Sequence, residues 1–142
     1  MKYVSMLLLF AAVSFTGFAQ NKDAILGKWI NSTGEAHVEI FKKGAKYNGK
    51  IVWLKTQKDE KGIVKTDLKN PDASLRSRPI LGMEMLRDFV YEDGKWTDGK
   101  IYDPKSGKTY SSTMKLHGDK LELRGYIGVS LFGRTTVWER DK

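Results

Sequence analysis

The stretch Gly99-Lys-Ile-Tyr-Asp-Pro-Lys-Ser-Gly-Lys-Thr-Tyr110 most constrains the fold of this chain. Pro104 pre-sets one backbone angle of a turn, and Gly107 can adopt the left-handed conformation that closes it. The flanks are short and rich in β-branched and aromatic residues, so the unit reads as a β-hairpin. Similar units precede and follow it. Gly27–Ile30 looks like a first strand, and His37–Phe41 alternates up to the turn Lys42-Lys43-Gly44. Tyr47–Leu54 is its partner, with Gly49 allowing a bulge or bend. Met83–Tyr91, Trp96–Asp103, Lys108–Leu116, Lys120–Tyr126 and Arg134–Arg140 continue the series. No apolar pattern with a helical period is sustained.

About eight antiparallel strands in chain order predict an all-β fold, an up-and-down barrel, with a flattened sandwich as the alternative. The connection from Lys55 to Pro79 is too long for a simple turn. Connections of that length are often functional, and any helix is expected there, or an extra strand around Ile63-Val64-Lys65. The N-terminus reads as an export signal: Lys2, an apolar run from Met6 to Val13, and Gly17-Phe18-Ala19 before the cut. Residues 1–19 are therefore assigned as a signal peptide and 20–142 as one domain. No cysteine is present for lipid anchoring or for a disulfide. The apolar run is too short for a membrane-spanning helix. The expectation is an exported protein, periplasmic or secreted, without stable membrane insertion.

The net charge is +8, but the lysines are scattered over nearly every turn. Dispersed lysines describe a solvated surface, and an exported protein rarely meets nucleic acid, so no nucleic-acid partner is expected.

Several motifs resemble those of the DUF2147 family of small exported bacterial proteins without an assigned biochemical role. They are Asn70-Pro71-Asp72, Arg78-Pro79-Ile80-Leu81-Gly82, Gly99-Lys100-Ile101-Tyr102-Asp103-Pro104, Gly107-Lys108-Thr109-Tyr110, Arg124-Gly125-Tyr126-Ile127-Gly128 and Gly133-Arg134-Thr135-Thr136-Val137-Trp138. The likeness runs from about Leu26 to Arg140. It implies a lipocalin-like barrel, and it implies no reaction, ligand or catalytic residue.

Chemistry-bearing clusters are scarce. The two histidines, His37 and His117, lie far apart, and with no Cys a zinc site would need carboxylates to complete it. No nucleophile elbow, phosphate-binding loop or dinucleotide fingerprint occurs. Neither catalytic residues, nor a metal, nor a cofactor is assigned, and the protein reads as a non-enzyme. The candidate ligand-binding residues are Arg124, Tyr126, Tyr110 and Arg87. Alternation puts Arg124 and Tyr126 on one face of their strand, Tyr110 on the neighbouring strand, and Arg87 on a face with Met83, Met85, Phe89 and Tyr91. If that face is interior, Arg124 must be paired, either by an anionic ligand or by Asp103 or Glu122, because an isolated buried charge is costly. The glycine-rich apolar loop from Gly125 to Gly133 reads as a lip over a barrel mouth, a contact patch, or a plug. The function that follows is binding of a small hydrophobic or amphipathic ligand, an anionic one included. The alternative is a structural or interaction protein of the cell envelope whose barrel is packed solid, as four inward tryptophans would make it.

Overall fold

The structure, a computed structural model, describes residues 21–142. The proposed export signal at 1–19 lies outside them. Eight strands follow in chain order: β1 Gly27–Ile30, β2 Ala36–Lys43, β3 Lys46–Leu54, β4 Glu84–Glu92, β5 Lys95–Asp103, β6 Lys108–His117, β7 Lys120–Tyr126 and β8 Arg134–Arg140. Each pairs antiparallel with the next, and β8 returns to β1 through Trp29 opposite Arg140, closing the barrel. The up-and-down barrel expected from the turn spacing is the fold. Closure leaves no free sheet edge.

The Asp103–Gly107 turn forms as the residues require. Asp103 accepts from the backbone N–H of Lys105 at 3.0 Å through its side chain and from that of Gly107 at 2.8 Å through its carbonyl. Gly107 sits at φ +73°, and a Cβ there would lie 2.0 Å from the Lys69 carbonyl oxygen. The glycine therefore serves two needs, a left-handed turn and the close passage of the long loop.

Alternation sets the inner face. Ala36, Val38 and Ile40 of β2, Met114 of β6, and Leu121 and Leu123 of β7 are buried. Strand β4 breaks the rule. Asp88 is in the left-handed region at φ 65°, so Leu86 and Phe89, three residues apart, are both fully buried. A strict two-residue period cannot see this switch of face. The shared face expected for Met83, Met85, Arg87, Phe89 and Tyr91 is thereby corrected: Arg87 lies outside, exposed, while Phe89 packs inward against Gly99.

Among the described residues helix is confined to three short 3-10 turns, Lys22–Ile25, Ala73–Leu75 and Ser130–Phe132. Only the second falls between Lys55 and Pro79, so the expectation that any helix would lie there is also corrected. The long connection adds two isolated antiparallel bridges, Lys58 with Val64 and Thr66 with Pro79.

The first 3-10 turn closes one end of the barrel. Trp29 Nε1 donates to the Ile25 carbonyl at 2.9 Å, Trp96 Nε1 to the Lys22 carbonyl at 3.1 Å, and the Tyr47 hydroxyl to Asp23 at 2.6 Å. Arg140 donates to the carbonyls of Leu26 and Ala24, and its guanidinium lies 4.0 Å from the centre of the Trp29 ring. Such a cation over an aromatic face is attractive, and more so when desolvated. Trp29, Trp96 and Trp138 are buried, whereas Trp53 is 40% exposed. The four tryptophans do not all point inward.

Candidate functional site: the open end of the barrel

The opposite end carries the loops 31–35, 55–83, 104–107 and 127–133. Between them a cavity of about 1490 Å³ runs from the mouth to the inner wall, where Ile51, Ile101, Tyr110, Leu123 and Trp138 line it. Ligand pockets are commonly about 300–1000 Å³, so the space, mouth included, is ample for a small molecule.

A row of small residues crosses the inner wall. Gly99 of β5, Ser112 of β6 and Gly125 of β7 are register partners. At Gly99 the Phe89 ring occupies the place of a side chain, 2.3 Å from where a Cβ would sit; at Gly125 the nearest atom to such a Cβ, on Tyr110, is 3.6 Å away. One glycine is filled by the core and the other opens on the cavity. The hydroxyl of fully buried Ser112 has no hydrogen-bond partner among the described residues.

The long loop is fastened by a residue the sequence reading passed over. Asp67 is fully buried. It accepts from the Tyr102 hydroxyl at 2.6 Å, from Asn70 Nδ2 at 2.8 Å and from Arg78 at 3.0 Å. Burial pushes its carboxyl up, but these three hydrogen bonds and the Arg78 charge outweigh burial and hold it below the usual carboxylate range. Burial and the same Asp67 contact push the Tyr102 hydroxyl up to about 12. Asn70 and Arg78 come from the same loop, 3 and 11 residues from Asp67, whereas Tyr102 comes from β5, 35 residues away, and all three converge on this one carboxylate. Each donor was visible in a motif; the acceptor carried no local signal.

Of the four candidate residues, Tyr110 reaches the inner wall and lines the cavity. Arg124 and Tyr126 share the face of β7 opposite Leu121, Leu123 and Gly125, and so lie on the outside of the wall. The expectation that both point inward beside Tyr110 is corrected. The strand has apolar residues on one face and long amphipathic ones on the other, and the apolar set won the core. Arg124 donates to the Thr135 hydroxyl at 2.8 Å and to the Leu131 carbonyl at 3.3 Å, fastening the loop 127–133. Asp103 serves its own turn instead, and Glu122 lies 3.5 Å from His117. Tyr126, at the strand end, borders the mouth. Arg87 lies in a separate outer groove of about 530 Å³ with Arg78, Tyr102 and Thr109.

Apolar exposure is concentrated at the mouth. All the large hydrophobic residues at least half exposed among the described residues are Ile63, Val64 and Leu68 on the long loop and Ile127, Val129, Leu131 and Phe132 on the β7–β8 loop. Around them Lys55, Lys65 and Arg134 have no ion pair among the described residues, while Lys105 pairs with Glu35 at 2.9 Å. Among the described residues no group of three His, Cys, Asp or Glu could hold a metal ion, and no helix is long and apolar enough to cross a membrane.

With this geometry in hand, the chain belongs to the DUF2147 family, described as an uncharacterized protein conserved in bacteria, whose family model matches residues 27–140. No curated protein matches it. Among solved structures the chain is similar to protein HP1028 from the human pathogen Helicobacter pylori, described as belonging to the lipocalin family. The identity is 25% over 83% of each chain, with a TM-score of 0.70. The barrel is thus lipocalin-like in fold.

Proposed function

We propose that this protein is an exported carrier, periplasmic or secreted, that holds a small hydrophobic or amphipathic molecule in the open half of its barrel. One observation carries the reading: the barrel is packed at the end sealed by Trp29 and Trp96 but hollow at the end lined by Tyr110, Gly125 and Trp138. A barrel serving only as a rigid spacer gains nothing from that hollow, because unfilled space forfeits dispersion contacts. The description of HP1028 as a lipocalin family member supports a binding role. In this reading Tyr110 and Thr136 offer polar contacts on the wall, and Lys55, Lys65 and Arg134 favour an anionic head group at the mouth. Arg124 and Tyr126 shape the lip instead of touching the ligand, and Arg87 stands apart. Binding, without catalysis, is the proposed activity.

Titration with dansylated undecanoic acid tests this. The wild type should bind saturably with a blue-shifted emission. Gly125→Leu places a branched side chain into the cavity from a position with ordinary backbone angles and room for a Cβ. It should weaken binding by at least about tenfold without shifting the unfolding midpoint. No saturable binding by the wild type, or equal binding by the variant, would refute the carrier reading.

A further inference from the structure

The mouth also has the makings of a docking surface. We infer that the open end of the barrel docks reversibly on anionic phospholipid membranes, with the loop 127–133 as the apolar contact and lysines of the long loop as the electrostatic one.

Leu131 and Phe132 are each 79% exposed, the highest values among the large hydrophobic residues described. They sit on a 3-10 turn whose preceding residue offers no side-chain cap, held to the wall from behind by Arg124. The loop is therefore fastened at its base while its side chains project. Contiguous exposed apolar surface of this kind marks an interaction site. Across the mouth the small bridge between Lys58 and Val64 presents Lys58, Lys61 and Lys65 beside Ile63, with Asp59 and Glu60 between the first two lysines. Asp59 is turned to the backbone N–H groups of Lys61 and Ile63, and no close ion pair ties any of the three lysines among the described residues, although Lys65 acts at longer range on Glu35. With Lys55 and Arg134 at the same mouth, positive charge is in excess there, and apolar side chains set among an excess of cations are the chemistry that a negatively charged lipid surface recognises. A second copy of the chain is the poorer occupant, because two such mouths would bring like charges together. The inference extends the carrier reading, since a mouth lying on a membrane gives an amphipathic molecule a path into the barrel without crossing water.

Co-sedimentation tests it, with vesicles of phosphatidylcholine alone or mixed with phosphatidylglycerol. The protein should bind the mixed vesicles at least tenfold more tightly than the neutral ones, and raised salt should weaken that binding. Val129→Ser combined with Leu131→Ser, two exposed positions outside the cavity lining, should reduce binding at least tenfold, while binding of dansylated undecanoic acid stays unchanged and reports an intact barrel. Gly125→Leu should do the reverse, keeping vesicle binding while losing the fatty-acid probe, so failure of the carrier reading is distinguishable from failure of docking. Absence of vesicle binding, equal binding by the doubly substituted protein, or indifference to lipid charge would each overturn the inference. So would a concentration-dependent dimer abolished by the same two substitutions.

Discussion

The two ends of this barrel are built from similar residues and put them to opposite uses. At the closed end Trp29, Trp96 and Tyr47 are buried, and each finds a hydrogen-bond acceptor on the short N-terminal 3-10 turn. At the open end residues no less apolar, Leu131 and Phe132 among them, face outward around a hollow. The difference lies in what covers each end. Four residues, Lys22–Ile25, suffice to close the first because their carbonyls meet the indole and guanidinium donors of three strands. The second is crossed by a long loop held at its flank by Asp67 on the outer face of the wall, which leaves the mouth open. Apolar composition alone does not make a core; a cover with matching hydrogen-bond acceptors does.

The contrast is open to direct attack. The largest effect is expected at the closed end. Trp29→Ala removes a fully buried ring, the hydrogen bond to Ile25 and the surface on which Arg140 lies. It should cost about 3–5 kcal/mol, read as a lowered midpoint of urea unfolding. A loss below about 1 kcal/mol would show that the closed end is not the stabilising half.

Asp67→Asn comes next. It leaves Arg78 without its carboxylate partner beside a buried oxygen, and should cost about 2 kcal/mol at neutral pH, with faster hydrogen exchange between residues 65 and 79. Because the folded-state pKa of Asp67 is depressed below its unfolded value, its stabilisation is complete above the ordinary carboxylate pKa of about 4 and fades as the pH falls through the folded value. The gap between wild type and variant should therefore narrow steadily on acidification below about pH 5. A gap that stays constant down to pH 2 would mean that the carboxylate is not the charged acceptor described here.

The smallest effect belongs to the outer wall of the open end. Arg124→Met should cost no more than about 1 kcal/mol, since its contacts to Thr135 and Leu131 are at the surface, while hydrogen exchange in 127–133 accelerates. A loss near 3 kcal/mol would place the guanidinium in a buried pair instead.

How much of this was legible beforehand differs between wall and site. Strand number, order and the hairpin turns were readable because each depends on neighbours in the chain: Pro104 and Gly107 for one turn, alternation of Leu121 and Leu123 for one face. The site was readable only in part. Tyr110 lines the cavity from the inner face and Tyr126 borders it from the strand end, while Arg124 lies outside, a choice that alternation leaves open because both faces of β7 offer plausible inward residues. Arg87 was misplaced by one backbone feature, the left-handed Asp88 that reverses alternation in mid-strand. Asp67 was missed because an aspartate in a loop looks the same whether it is solvated or accepts three hydrogen bonds.

What the chain's own order of residues determined, then, is the closed eight-stranded wall. Local turn chemistry and two-residue periodicity act over a few positions, and their sum leaves few topologies. Tertiary structure decided which end is sealed, which glycine of the Gly99–Ser112–Gly125 row is filled, and where the charged groups find partners. These depend on contacts such as Phe89 against Gly99 and Tyr102 with Asp67, between residues that chain order separates and only closure of the barrel brings within a few ångströms.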